Sequence, residues 1–301
     1  MIVVLSKFFA PYRHELFSHV ADRVLYAYSS DGHRSWGSNG HDNAWRLFTI
    51  RSRKTEYSFL WPRLKLVKIL LTADTLVVNS LFLFPVWIIQ LMRGRKIIYM
   101  TDVHPLYAPK IKLKIYSIIF TDVVTNVPVS SIHTKVIPLT SQLDVSQSMT
   151  ERHIDVLFVN QLVERKNIDF IRRFILEASD LRICIIGDGT YFPELERSNV
   201  EWLKSIDYQE MGKYYQSAKI LCAPSYFDVW GLNVQEALMC GCYVISTKSL
   251  GAAYYFANLS PVFILESYDE SAWRVSIEKI IAQYSPPPKL NLSEFQLNKE
   301  F

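Results

Sequence analysis

The sequence lacks several features that would identify its structural class directly. Ten glycines and 13 prolines in 301 residues exclude a collagen-like or low-complexity chain. Half of the residues are hydrophobic, which excludes global disorder and allows one large domain or two of about 150 residues each. The four cysteines form no C-x-x-C pair, so we expect buried, reduced thiols rather than a zinc site: Cys184, Cys222, Cys240 and Cys242.

The opening of the sequence does not predict a targeting segment. The opening stretch, MIVVLSKFFAPYR, has a short apolar run with no preceding basic residue, so it does not resemble a signal peptide. An apolar segment over 75–92 is close to the lower length limit for a bilayer span, but it contains Asn79, Ser80, Pro85 and Gln90. We favour a buried strand followed by a buried helix over a membrane span, and a cytoplasmic location.

The net charge of +4 is unevenly distributed along the chain. Residues 1–150 carry 18 Lys and Arg against nine Asp and Glu, a net charge of +9, whereas residues 151–301 carry a net charge of −5. This asymmetry indicates that the two halves meet different partners, and it says nothing about the fold.

Short β-branched runs alternate with helical patterns through both halves, which is typical of parallel sheets covered on both faces. We predict strands at 2–6, 24–28, 75–79, 96–100, 122–126, 135–138, 154–159, 182–187, 200–203, 219–223, 243–246 and 262–265. The helical patterns lie at 13–23, 62–71, 81–92, 110–120, 167–178, 209–217, 232–240 and 270–284. The sequence therefore predicts an α/β protein of two doubly wound, Rossmann-like domains.

Polar residues over 140–152 mark a linker between these domains. We place the first domain at 1–145 and the second at 146–285. A proline run at 286–288 then precedes a tail, 286–301, that we expect to pack back on the first domain. Ligands of such sheets bind outside the carboxyl ends of the strands, here in the cleft expected between the domains.

The segment 224–245, PSYFDVWGLNVQEALMCGCYVI, carries the clearest chemistry. Asp228 follows a strand, and Glu236 lies eight positions later, inside the start of a helix. The N–H groups of Gly231 and Leu232 at this helix start would suit a phosphate group. The pattern indicates a ligand with an anion and hydroxyls; the alternative is a capping acid at Asp228 and a solvated Glu236.

This segment resembles the E-x7-E region of retaining GT-B glycosyltransferases, especially glycosyltransferase family 4. The matching positions are Pro224, Ser225, Asp228, Gly231, Glu236, Ala237, Gly241, Val244 and Ile245. The first acid is Asp where that family usually has Glu. The resemblance implies that Glu236 binds the ribose hydroxyls of the nucleotide and that Asp228 faces the donor sugar.

A second segment, 158–171, resembles the family's G-R-x-x-x-x-K loop. The resemblance places Lys166 on the donor diphosphate, whereas Asn160 and Gln161 replace the usual glycine and arginine. Arg165 is our candidate for the second positive charge, because an arginine is among the stronger phosphate ligands. The alternative is an ordinary charged loop before a helix.

Other residues match the family individually. The resemblance implies that Gly187, Gly189 and Gly251 approach the donor and that His104, just after a strand, lies near the reacting sugar. On the acceptor side, Arg13 and His14 begin the first helical pattern. The alternative for these two residues is the surface start of a helix.

The function implied is transfer of a hexose-type sugar, with retention, from a UDP- or GDP-linked donor to a glycan or lipid-linked acceptor in polysaccharide or glycoconjugate synthesis. We expect no cofactor and no metal, since no D-x-D motif stands at a strand end. The alternatives are a non-catalytic relative that binds glycan or nucleotide, and a nucleotide-sugar epimerase or phosphorylase. A lysine–pyridoxal motif, which would favour a phosphorylase, is not evident.

Basic residues in the first half are interleaved with aromatic and aliphatic side chains. They are Arg51, Arg53, Lys54, Arg63, Lys65, Lys68, Arg93, Arg95, Lys96, Lys110, Lys112 and Lys114. Such faces can rest on anionic lipid, which predicts peripheral membrane association. No nucleic-acid-binding motif accompanies them, so we expect no nucleic-acid partner. The alternative is a solvated helix face.

Overall fold

A computed structural model of the chain describes residues 2–6, 23–26, 55–57, 71–78, 88–143 apart from 89, 130–131, 133, 137–138, 140 and 142, and 151–291. The chain divides into two compact units. The first contains Met1–Val103 and Tyr107–Thr140, and the second contains His104–Leu106 and Ser141–Phe295. The tail beyond residue 291 lies outside the described residues, so its packing on the first domain stays a prediction.

The first unit is built on a parallel sheet. Its strands are β1 (Ile2–Ser6), β2 (Arg23–Tyr26), β3 (Thr55–Tyr57), β4 (Thr75–Val78), β5 (Lys96–Thr101), β6 (Asp122–Thr125) and β7 (Lys135–Val136). They lie in the order β3-β2-β1-β4-β5-β6-β7. Helix α1 (Lys110–Ile119) connects β5 to β6. The order reverses between β1 and β4, as in doubly wound folds.

The second unit repeats this plan, with six parallel strands in its described part. They are β8 (Ile154–Val159), β9 (Ile183–Ile186), β10 (Val200–Leu203), β11 (Ala218–Ala223), β12 (Tyr243–Ser246) and β13 (Val262–Ile264). Their order, β10-β9-β8-β11-β12-β13, reverses between β8 and β11. These two strands are direct neighbours, with Leu157 opposite Leu221. The loops that follow them therefore leave the same edge of the sheet.

Among the described residues of the second unit, five helices fall between the strands or follow the last of them. They are α2 (Ile168–Glu177), α3 (Met211–Ser217), α4 (Leu232–Met239), α5 (Gly251–Tyr255) and α6 (Glu270–Ala282). Single 3-10 turns occupy Glu164–Lys166, Pro193–Glu196 and Tyr208–Glu210.

The core of the second unit is aromatic and aliphatic. Phe170 of α2 stacks on Phe174, with ring centroids 6.0 Å apart, and meets Trp273 of α6 at 4.7 Å. Both helices thereby bury their apolar faces against β8 and its neighbours. All four cysteines are buried and free, as predicted.

The predicted α/β fold class is confirmed, because both units are parallel, doubly wound sheets. Most strands agree with prediction within two residues, but β3 was missed, since its three residues TEY carry no apolar run. In the segment 75–92, residues 75–78 form β4, and the described residues 88 and 90–92 are helical. No helix among the described residues has the length and apolar character needed to cross a membrane.

The helices predicted at 13–23, 62–71 and 81–92 lie wholly or largely outside the described residues. The other predicted helices are present, each slightly shorter than its pattern. Helix α5 was not predicted. Its sequence, GAAYY, is too short for a helical periodicity to register.

Candidate functional site

The site lies in the second unit at the point where the strand order reverses. Ligands of doubly wound sheets bind outside the carboxyl ends of the strands at such a point. The loop after β8 ends in Lys166, and the loop after β11 contains Asp228. Residues 62 positions apart in sequence thus meet at one edge of the sheet.

Lys166 and Asp228 form an ion pair, the Lys166 Nζ donating to Asp228 Oδ2. Lys166 is only 8% exposed, which is unusual for a lysine and requires a nearby counterion. Arg165 is more exposed: its Nη1 lies 3.8 Å from Asp228 Oδ2 and donates to the carbonyl of Phe227 at 3.2 Å. Three of the predicted donor-site residues are therefore brought together.

A residue in the left-handed conformation directly follows this lysine. The 3-10 turn Glu164–Lys166 ends at Asn167, whose φ of 59° is the only positive φ of a non-glycine residue among those described. Asn167 also begins α2, its side chain accepting from the N–H of Phe170 at 3.3 Å. Asparagine suits both tasks, since it tolerates this conformation and caps helices well. Lys166 is buried and paired, unlike the side chains of a fully solvated loop, and its role toward a ligand stays a prediction.

Gly231 begins α4 with a φ of 82°, and the helix has no side-chain cap. The alternative that Asp228 caps this helix is therefore wrong. Asp228 is instead held by the backbone, since its N–H donates to the Ser249 carbonyl and its own carbonyl accepts from Gly251, each at 3.1 Å. The acid thus lies between the loop after β11 and the loop after β12. Leu232, the other predicted phosphate-side residue, is the first residue of α4.

Glu236, on the second turn of α4, is 5% exposed, so the alternative of a solvated residue is also wrong. Its carboxylate accepts three hydroxyl hydrogen bonds. Oε1 accepts from Ser141 Oγ at 3.0 Å and from Tyr208 Oη at 2.8 Å, and Oε2 accepts from Tyr215 Oη at 3.0 Å. Glu236 is therefore paired with three hydroxyl groups of the protein itself.

Burial sets the protonation behaviour of this group. Removal from water raises the pKa of Glu236, although the hydrogen bonds from Tyr208, Tyr215 and Ser141 act in the opposite direction. The fully buried Tyr215, facing the same carboxylate, has a pKa well above its usual value. Tyr215 therefore stays a hydroxyl donor at any physiological pH.

His104 belongs to the second unit although it follows β5 of the first. Its ring is buried, stacks on Phe227 with centroids 5.5 Å apart, and lies 6.4 Å from the ring of Tyr254. The N–H of Leu106 donates to its Nδ1 at 3.1 Å. The histidine thus lies against the loop that carries Asp228.

Burial lowers the pKa of His104, although the backbone of Ser249 and Lys248 and the charge of Asp228 counteract it. The imidazole is consequently neutral at neutral pH. A neutral ring beside an ion pair can exchange a hydrogen bond with a ligand without adding a charge to the site.

The three predicted glycines allow close backbone crossings. A Cβ at Gly187 would lie 1.8 Å from the carbonyl oxygen of Asn160, and one at Gly251 would lie 2.0 Å from that of Val229. A Cβ at Gly189 would meet the carbonyl oxygen of Leu162 at 2.4 Å. These glycines hold the site loops against one another, and the structure gives them that packing role.

Sequence reasoning missed the three hydroxyls around Glu236. Tyr208 and Tyr215 are seven residues apart, the separation of two helical turns, which is a signal that the sequence did offer. Ser141 lies 95 residues from its partner and gave none. Asn160 and Ser225, identified from the sequence only as motif positions, are buried, and their polar side-chain atoms have no hydrogen-bond partner among the described residues.

Some predicted residues cannot be placed. Arg13 and His14 lie outside the described residues, as do the basic positions 51, 53, 54, 63, 65 and 68. Among the residues that the structure describes, no three His, Cys, Asp or Glu side chains converge as around a metal ion.

Residues 143–293, half of the chain, match the family described as "Glycosyl transferases group 1". The chain belongs to this family. The match covers the site built from Lys166, Asp228 and Glu236. The predicted class of enzyme, a glycosyltransferase, is thereby confirmed at the level of the family.

A curated relative supports the same region only in part. The chain is similar to an uncharacterized 41.2 kDa protein in the cps region of Klebsiella pneumoniae, with 30% identity over 99 residues. The match spans 32% of this chain and 28% of the relative.

Solved structures share the fold over nearly the whole chain. HepE of Anabaena, in complex with UDP, has a TM-score of 0.72 at 15% identity and covers 96% of this chain and 92% of its own. Sucrose-phosphate synthase of Thermosynechococcus elongatus has a TM-score of 0.63 at 13% identity, covering 94% and 90%. At these identities the likeness shows the fold, which is GT-B.

Proposed function

We propose that the protein is a retaining glycosyltransferase of family 4 type. It transfers a hexose from a nucleoside diphosphate sugar to an acceptor hydroxyl. The observation that carries the proposal is the meeting of Lys166, Asp228 and Arg165 where the strand order reverses. The family supports sugar transfer, and the GT-B neighbour HepE binds UDP, glucose and UDP-glucose in its complexes. These complexes favour UDP over GDP as the nucleotide.

In the proposed reaction, the bond between the sugar and the diphosphate breaks and negative charge grows on the leaving phosphate. Lys166, together with Arg165 and the N-terminus of α4 at Gly231, stabilises that charge. Glu236 accepts hydrogen bonds from the ribose hydroxyls, in exchange for those of Ser141 and Tyr208. Asp228 and the neutral His104 face the sugar.

The acceptor hydroxyl gives its proton to the leaving phosphate oxygen as the new glycosidic bond forms on the same face of the sugar. No side-chain base is then required, and the diphosphate leaves as the protonated nucleotide. We propose a glycan or lipid-linked acceptor in polysaccharide or glycoconjugate synthesis. The net charge of +9 on residues 1–150 supports an acidic acceptor or an anionic membrane surface.

The test begins with binding. Calorimetry with UDP should show a dissociation constant roughly 10- to 100-fold weaker for Lys166→Ala, since a charged hydrogen bond is worth about 1.5–3 kcal/mol. Lys279→Ala, which removes an exposed lysine of α6, is the matched control and should leave the affinity unchanged. Equal affinity of the Lys166→Ala variant and the wild type would contradict the site.

Turnover then separates the enzyme from a non-catalytic relative. With UDP-hexose and a lipid or glycan extract as acceptor, we expect release of UDP that the Lys166→Ala variant has lost. Proton NMR of the product should show the anomeric configuration of the donor. Tight UDP binding without UDP release would support the non-catalytic alternative, and an inverted product would refute retention.

A further inference from the structure

The outward face of helix α1 is apolar. Leu113 and Tyr116 are buried and fix the inner side of the helix. On the opposite side, Ile111 is 81% exposed and Ile118 is 79% exposed, with Ile115 at 49% between them. Positions 111, 115 and 118 share one face at the helical spacing. We name these three residues the isoleucine ridge.

Lysines border this ridge on both sides. At 100° per residue, Lys110 and Lys114 lie on one flank of the ridge and Lys112 lies on the other, where its Nζ is 5.5 Å from the ring centroid of Tyr116. All three lysines are exposed, and the helix contains no acidic residue. Apolar side chains at the outermost position with lysines beside them are the pattern of a helix lying at a membrane surface.

The remaining helices of the described chain do not share this pattern. On α6, the exposed Val275 lies beside Arg274, which is paired with Asp180 and Glu278, so the apolar position there is single and its charges are satisfied. Exposed isoleucines repeated over two turns are unfavourable in water. A partner for this face must therefore offer both an apolar layer and negative charge.

We propose that α1 docks the protein on an anionic phospholipid bilayer, the isoleucine ridge entering the acyl boundary and the three lysines meeting the headgroups. Charge complementarity favours this occupant over a second copy of the chain, because symmetric contact through α1 would set lysines against lysines. The inference deepens the membrane side of the proposed function, since it names the element that would reach a lipid-linked acceptor.

The test uses the full chain and vesicles of phosphatidylcholine with or without phosphatidylglycerol. Co-sedimentation should require phosphatidylglycerol and fall with salt. The triple change Lys110→Gln, Lys112→Gln, Lys114→Gln should weaken partition roughly a hundredfold, at about fivefold per lysine. The double change Ile111→Gln, Ile118→Gln should weaken it at least about tenfold, by removing the inserted area.

The matched control is Val275→Gln, Lys279→Gln on α6, which should leave partition unchanged. Equal binding to neutral vesicles, or wild-type partition of the isoleucine double variant, would overturn the proposal. So would a dimer in solution that the isoleucine changes abolish, because it would assign the ridge to a second copy.

Calorimetry with UDP is run on every variant. Unchanged UDP affinity shows that the second unit is folded, and it separates this proposal from the proposed function. Loss of sugar transfer would not affect the vesicle result, and loss of vesicle binding would not affect UDP binding.

Discussion

The two acids of the site differ in their surroundings and therefore in what each can do. Asp228 is partly exposed and shares its charge with Lys166 and Arg165. Glu236 is buried and accepts hydrogen bonds from three hydroxyl groups. The first is suited to a ligand that brings or moves charge, and the second to a ligand that brings neutral hydroxyls.

Replacing Glu236 by Gln tests this second role. The change keeps the volume but replaces one acceptor oxygen by an amide group that can only donate, so the dissociation constant for UDP should rise roughly 10- to 100-fold in calorimetry. Because the three hydroxyls can still pair with an amide, the thermal midpoint should change little. Glu278→Gln on the exposed face of α6 is the control. A Glu236→Gln variant that binds UDP like the wild type would refute the ribose assignment.

At the scale of elements, the loops after β8, β11 and β12 depend on contacts between backbones. The carbonyl of Leu162 accepts from Thr190 and the carbonyl of Trp230 accepts from Ala252, at 2.8 and 2.6 Å. Glycines stand where these segments cross. The loop backbones can therefore approach this closely because the glycines carry no side chain at the crossing points.

Gly251→Ala tests this arrangement. Its Cβ would meet backbone of Val229 rather than a movable side chain, so we expect a loss of about 1–3 kcal/mol in unfolding free energy. Gly94→Ala is a useful comparison, since position 94 has a φ of 65° with no atom within 4 Å of the added Cβ, and its cost is that of the backbone alone. Denaturant unfolding measures both, and a Gly251→Ala variant of wild-type stability would contradict the crowding.

Elements with a strong local pattern could be predicted, and those determined by tertiary contacts could not. Strands such as β8 and β11 are continuous apolar runs, and the acid loop combines acids and glycines at a fixed spacing. The edge strand β3 and the helix α5 are too short to show a period. Ser141 reaches Glu236 only through the fold, because nothing in its local sequence distinguishes it from other linker serines.

At the scale of the whole molecule, two units of the same plan carry different surfaces. The described part of the first exposes lysines and isoleucines on α1, whereas the second holds the ion pair and the buried glutamate. The charge asymmetry read from the sequence is thus accompanied by an asymmetry of chemistry. The structure is needed to identify the residues that provide each chemistry. A sequence does not show that Ile111 is exposed or that Lys166 is buried.

The four thiols report on the integrity of the second unit. Burial raises the pKa of Cys184 and Cys240 to about 12 and that of Cys242 to about 11, and it raises the pKa of Cys222 as well. At pH 8 all four should be protonated and inaccessible, so an aromatic disulfide reagent should detect none in the native protein and four in denaturant. Rapid reaction of any thiol without denaturant would contradict the packing.

The ion pair of Lys166 and Asp228 has a further consequence for ligand binding. A lysine in water must be desolvated before it can bind a phosphate, and the free-energy cost of this desolvation opposes binding. Here that step is completed during folding, with Asp228 as the resident counterion. In the proposed function, an arriving diphosphate would exchange with Asp228 as the counterion of a lysine that is already desolvated and already positioned.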